Sequence, residues 1–96
     1  SSNSIVHCMQ IHRSAIGHVV GRNGRTIKRI QADYDVNITN TKFGEEEDIY
    51  IHFYVKGHHV NVSQALKYIG RLIEISNGGA GRITTNTVEY NNTIIQ

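Results

Sequence analysis

The stretch that decides the fold is Gly17-His18-Val19-Val20-Gly21-Arg22-Asn23-Gly24-Arg25-Thr26-Ile27-Lys28-Arg29-Ile30, which has a four-residue turn, Gly21 to Gly24, at its centre. Apolar residues precede this turn, and Ile27 and Ile30 follow it at helical spacing. The pattern predicts a helix, a turn bounded by two glycines, and a second helix.

Charge is unevenly distributed around this stretch, although the net charge of the chain is only +2. Residues 13–29 contain five Lys or Arg and no acid, whereas residues 33–48 contain six acids and one Lys. A polyanion would be attracted to the first region and repelled by the second. Solvent-exposed faces that bind no ligand would show the same charge runs. The charge pattern alone therefore leaves both interpretations open.

Outward from the turn, the periodicity of apolar residues predicts six elements. Alternation of apolar residues from Ile49 to Val55 is the clearest strand signal, and Gly57 is predicted to end that strand. In chain order we predict a strand at 5–11, helices at 15–20 and 25–34, strands at 36–39 and 49–55, and a helix at 59–75.

The order β-α-α-β-β-α predicts an α+β domain, in which a three-stranded antiparallel sheet packs against three helices. One domain is expected at residues 5–75, because 96 residues leave no room for two cores. Residues 76–96 are predicted to be a C-terminal extension, either flexible or involved in assembly. A weak strand at 82–90 and disorder are both compatible with its Thr- and Asn-rich sequence.

The composition argues against several function classes. No apolar run approaches the roughly 20 residues of a membrane span, and no secretory signal is recognisable. Cys8 is the single cysteine, which leaves no intrachain disulfide and no cysteine-based zinc site. The six histidines are not spaced with acids as a metal site requires. We expect no metal, no other cofactor and no enzymatic activity, because no triad or carboxylate pair is recognisable.

Three features of the sequence occur together in one order. The pattern Gly-x-x-Ile/Val-Gly-x-x-Gly-x-x-Ile-x-x-Ile is matched by Gly17, Val20, Gly21, Gly24, Ile27 and Ile30. The strand at 49–55 is closed by Gly57, and Val62 and Ala65 follow that glycine by five and eight residues. Over residues 5–75 the chain therefore resembles a type I (eukaryotic-like) K-homology (KH) domain, a module that binds single-stranded nucleic acid.

The resemblance implies a binding mode and a set of contact residues. In the family, the Gly-x-x-Gly turn clamps the backbone of about four nucleotides, and the bases lie in an adjacent groove. Carried over to this chain, the RNA-binding residues are Gly17, His18, Val20, Gly21, Arg22, Asn23, Gly24, Arg25, Ile27, Gln31, Asn37, Ile38, Thr39 and Asn40.

Within this set the roles are divided. The apolar floor of the groove is expected at Gly17, Val20, Ile27 and Ile38, and polar groups of the second strand, Asn37, Thr39 and Asn40, would read base edges. Asn37 stands where many relatives carry a basic residue, and Asn40 where an aliphatic one is common. Acidic residues 45–48 are expected to weaken non-specific RNA binding.

The function expected from the resemblance is that of a single-stranded RNA-binding module in an mRNA or pre-mRNA regulator. Such roles include splicing, mRNA processing and other post-transcriptional regulation, in the nucleus, the cytoplasm or both. Partners would be RNA and, through tandem domains or a homodimer, further copies of the module. The alternatives are a KH-fold protein-interaction module with weak or no RNA binding, and single-stranded DNA binding.

Overall fold

The structure is a computed structural model that describes residues 3–41, 49–76 and 86–90, the last five as backbone only. The strands are β1 (Ser4–His12), β2 (Asn37–Asn40), β3 (Tyr50–His58) and β4 (Asn86–Tyr90). The helices are α1 (Ile16–Val20), α2 (Arg25–Tyr34) and α3 (His59–Ser76). Two 3-10 turns, Arg13–Ala15 and Arg22–Gly24, precede α1 and α2.

The sheet is antiparallel throughout, with the strand order β2-β3-β1-β4. β1 and β3 pair along their full length, from Ser4 opposite His58 to His12 opposite Tyr50. The predicted β-α-α-β-β-α order, with three antiparallel strands against three helices, is confirmed. A fourth strand adds to it, since β4 pairs with the outer edge of β1 from Val6 to Gln10.

One face of the sheet carries the core. Ile51, Phe53 and Val55 of β3 are buried, whereas the residues between them are more exposed, as the period of two in a strand requires. α3 covers this face with residues spaced three and four apart. The buried core residues are Met9, Ile11, Ala15, Val19, Ile30, Val36, Ile38, Ile51, Phe53, Val55, Val62, Ala65, Ile69 and Ile73.

A tight turn carries the chain from α2 into β2. Asp35 ends α2 in the left-handed conformation (φ 54°, ψ 52°), and its N–H donates to the carbonyl oxygen of Gln31. The N–H of Val36 donates to the same oxygen at 3.2 Å. This turn places β2 at the free edge of the sheet, beside the helix that it has just left.

Gly57 does not end β3, contrary to the prediction. It lies within the strand opposite Ile5, and β3 continues to His58 before α3 begins directly at His59. A Cβ at this position would lie 3.3 Å from Cγ1 of Val36 and 3.4 Å from the carbonyl oxygen of Asp35. Glycine is used here because the turn from α2 to β2 passes close over the strand.

Four stretches of the sequence, residues 1–2, 42–48, 77–85 and 91–96, lie outside the described residues. The acidic run 45–48 falls in the gap at 42–48, and of the predicted extension 76–96 the structure describes residues 76 and 86–90.

Candidate nucleic-acid interface

The turn between α1 and α2 is held in backbone conformations that favour glycine. Gly21 has φ 77° and ψ 174°, Asn23 has φ 57° and ψ 26°, and Gly24 has φ 76° and ψ 16°. The N–H of Gly21 donates to the carbonyl oxygen of Gly17 at 3.0 Å, and the N–H of Gly24 donates to that of Gly21 at 3.2 Å. Asparagine is among the few other residues that adopt the left-handed conformation readily, so the sequence of this turn matches its geometry.

The three glycines of the stretch have different surroundings. A Cβ at Gly21 would lie 2.8 Å from the Cβ of Thr26, closer than real Cβ contacts come, whereas at Gly24 the nearest contact would be 3.8 Å. At Gly17, which is exposed on α1, no described atom would lie within 4 Å of a Cβ. Folding therefore requires glycine at Gly21, while the fold itself gives no steric reason for one at Gly17.

The start of α2 opens towards solvent at this turn. Gly24 is the N-terminal cap, and no side chain in the described part of the chain hydrogen-bonds to the N–H groups of the first helical turn. Arg22, Asn23 and Arg25 are exposed around it. The N–H of Gly24 donates to the carbonyl oxygen of Gly21, and the N–H of Arg25 donates to that of Arg22. The positive end of the helix dipole favours an anion at such a place.

The cations of the region do not all face one way. Arg29 forms an exposed pair with Asp33 at 3.5 Å, an interaction that contributes little to stability in water. With Arg25 and Tyr68 it lines a hollow of about 470 Å³ on the side of α2 that faces α3. Arg22 lies in the turn itself, whereas Arg25 and Arg29 both line this hollow.

β2 supplies the second wall of the predicted groove. Ile38 is buried against the core, and Asn37, Thr39 and Asn40 are exposed. Asn37 and Thr39 lie opposite Lys56 and Tyr54, which places them on the sheet face away from the helices. Asn40 is on the helix side, where its Nδ2 donates to the carbonyl oxygen of Thr41 at 2.8 Å. The polar residues predicted to read bases are thus divided between two faces of one edge strand.

Gln31 joins α2 to β2 through its side chain. Its Oε1 accepts a hydrogen bond from the N–H of Ile38 at 3.1 Å, and its Nε2 donates to the carbonyl oxygen of Ile27 at 3.4 Å. Val20 and Ile27 are partly buried and pack against the core. His18 is exposed beside Gly17 on α1. The structure therefore places the predicted residues on four consecutive segments, α1, the turn, α2 and β2.

The sequence did not single out Thr26, whose side chain and backbone fill the space next to Gly21. Its position two residues after Gly24, at the start of a helix, was the sequence signal that could have indicated this packing. Cys8 of β1 is a buried free thiol.

Within residues 3–41 and 49–76, no group of three or more His, Cys, Asp or Glu is placed to hold a metal ion. None of the helices in the described part of the chain is long and apolar enough to cross a membrane.

Comparison with known proteins gives two findings. The family model for the KH domain matches residues 6–71. The solution structure of the fourteenth KH type I domain of human vigilin superposes with a TM-score of 0.65 at 20% sequence identity, covering 85% of this chain and 84% of that one. Among curated proteins no sequence matches this chain.

Proposed function

Because the chain belongs to the type I KH domain family, whose members are nucleic-acid-binding modules, we propose that it binds single-stranded RNA, about four nucleotides at a time. The observation that carries this proposal is the turn from Gly21 to Gly24. Its backbone opens onto the uncapped start of α2, and Arg22 and Asn23 are exposed upon it.

The turn would hold the RNA backbone. A phosphate placed over it would accept hydrogen bonds from N–H groups at the start of α2, and the helix dipole would add to the attraction. Arg22 would contribute a mobile cation, and the amide of Asn23 a donor. Gly21 and Gly24 carry no side chain that would keep the sugar–phosphate chain at a distance.

The groove beside the turn would hold the bases. Val20, Ile27 and Ile38 would contact base faces, with Gly17 and His18 at the border formed by α1. Asn37, Thr39 and Asn40 would form polar contacts along β2. Amides both donate and accept hydrogen bonds, so a groove with Asn at two of these positions would discriminate among bases less sharply than one with Arg or Lys.

A site for about four nucleotides offers few contacts, so the isolated domain would bind weakly. Linking it to a second RNA-binding module or to a second copy would raise the apparent affinity by about 10²–10⁴. Such an arrangement suits an intracellular mRNA or pre-mRNA regulator, which we propose as the setting of this domain.

The test is a titration with pools of fluorescently labelled single-stranded octamers of randomised sequence, one of RNA and one of DNA, at low salt. We expect saturable binding of the RNA pool. Equal binding of both pools would change the ligand to single-stranded nucleic acid in general. Binding of neither pool would contradict the proposal and favour the interaction module.

A further inference from the structure

Among the residues that the structure describes, β2 is the terminal strand of the sheet, and β3 pairs with one of its two edges. In an antiparallel strand, the backbone groups of successive residues point alternately towards the partner and away from it. The N–H of Thr41 donates to the carbonyl oxygen of His52 of β3 at 3.0 Å. By alternation, Asn37 and Thr39 also face β3, and Ile38 and Asn40 present their N–H and C=O groups on the free edge.

The free edge is already occupied at Ile38. The N–H of Ile38 donates to Oε1 of Gln31 at 3.1 Å, across seven residues of sequence. The second contact of the same carboxamide, from Nε2 to the carbonyl oxygen of Ile27, is longer at 3.4 Å. Gln31 is only partly buried. The carboxamide is therefore held mainly through its oxygen, on a side chain that is partly exposed to solvent.

A carboxamide and a nucleobase edge carry the same kind of groups, an acceptor next to a donor. The backbone of Ile38 can use its N–H for only one strong acceptor at a time. If bases lie along the edge of β2, the acceptor of Gln31 and the acceptor of a base compete for the same donor.

We infer that Gln31 is an internal competitor of the nucleobase: its carboxamide occupies the N–H of Ile38 in the free protein and must be displaced when a base binds there. This inference rests on the proposed function, because it concerns the same groove. Gln31 would then lower the affinity of the groove for bases, and it would not affect the affinity of the turn for the RNA backbone.

A substitution of Gln31 should raise RNA affinity, although substitutions in a binding site usually lower it. Methionine at position 31 has nearly the same length and flexibility as glutamine but no strong acceptor. Gln31→Met should therefore bind the randomised RNA pool about three- to tenfold more tightly, which corresponds to one neutral hydrogen bond no longer having to be exchanged. A residue that only braces α2 against β2 would show weaker binding when replaced.

The ligand control is an octamer in which every base is replaced by an abasic ribose. Its affinity should be unchanged by Gln31→Met, since it has no base acceptor. The protein control is Gln64→Met, which makes the same chemical change at an exposed position of α3 and should alter neither affinity. Equal or weaker binding of the randomised pool by Gln31→Met would overturn the inference. No binding of either ligand by any of the three proteins would instead overturn the proposed function.

A second measurement uses the unaltered chain and so does not depend on how the variant folds. In ¹H–¹⁵N spectra, the carboxamide resonances of Gln31 and the amide resonance of Ile38 should both move when randomised RNA is added, and should stay in place with the abasic octamer. A Gln31 carboxamide that does not move while the resonances of Arg22 and Asn23 do would overturn the inference.

Discussion

At the scale of single residues, the glycines around the turn differ in what their surroundings demand. Gly21 combines a positive φ with the proximity of Thr26, so any side chain there would be strained and would collide. Gly24 has a positive φ, but a Cβ there would make only ordinary van der Waals contacts, and Gly17 has neither demand within the described structure. Gly17 is exposed and adjoins the turn, since its carbonyl oxygen accepts a hydrogen bond from the N–H of Gly21. We therefore expect the absence of a side chain at Gly17 to serve contact with the proposed ligand.

Gly17→Ala tests this assignment. Alanine is the better helix former, so the free energy of unfolding should stay equal or rise by up to about 1 kcal/mol. Binding of single-stranded RNA should weaken about fivefold or more, because a methyl group inserted into a close contact costs about 1 kcal/mol or more. Urea denaturation and RNA titration measure the two effects.

The matched control for this prediction is Gly70→Ala in α3, where a Cβ would likewise meet no described atom within 4 Å. It should change stability in the same direction and leave RNA affinity unaltered. If both alanine variants bind RNA like the unaltered chain, Gly17 does not lie at the interface.

At the scale of elements, the turn from α2 to β2 positions the second wall of the groove. It depends on Asp35 in the left-handed conformation, which costs energy for any residue with a Cβ. The same aspartate places a negative charge near the C-terminus of α2, where the helix dipole disfavours it.

Asp35→Gly should therefore raise the free energy of unfolding by about 0.5–1 kcal/mol. Relief of a left-handed residue contributes roughly 1–2 kcal/mol, and the greater freedom of glycine in the unfolded chain offsets about 0.4–1 kcal/mol of it. The urea midpoint measures this change. The control, Asp33→Gly, makes the same substitution in helical backbone and removes the partner of Arg29, so it should lower stability by about 0.5–1 kcal/mol. A fall in stability in both variants would show that the turn is not strained.

Strand and helix periodicity made most elements predictable. The alternation from Ile51 to Val55 and the stripe of Val62, Ala65 and Ile69 face the core as expected. Gly57 misled the prediction, because a glycine that ends a strand and one that permits close packing within it have the same sequence signature. The hydrogen bond from the N–H of Ile38 to Gln31 could not be predicted from the sequence either. It depends on the left-handed conformation of Asp35, and an aspartate is only a weak sequence signal for that conformation.

At the scale of the whole molecule, charge is unevenly distributed along the sequence, and the proposed RNA ligand would be attracted to the basic part. The basic residues 13–29 include the turn, and the following segment, 33–48, is acidic. The sequence alone established this polarity. The structure adds that Arg29 forms an exposed pair with Asp33, an interaction that is weak in water.

Salt dependence measures how many phosphates are held. Two or three contacts predict a slope of about −1.4 to −2.1 in a plot of log affinity against log salt, at roughly −0.7 per contact for single strands. Titrations of the RNA pool at several NaCl concentrations give this slope. A slope near zero would contradict a backbone clamp, because apolar contacts with bases release no counterions.

The most direct test of the central claim, that the turn from Gly21 to Gly24 clamps an RNA backbone, is the RNA affinity of Arg22→Asp combined with Asn23→Asp. Aspartate tolerates the left-handed conformation of residue 23, and both positions are exposed, so the double variant should fold like the unaltered chain. The control, Lys67→Asp with Gln64→Asp, makes the same change of charge on α3. We predict that the turn variant loses RNA binding while the α3 variant keeps it. Unchanged binding by a folded turn variant would contradict the account.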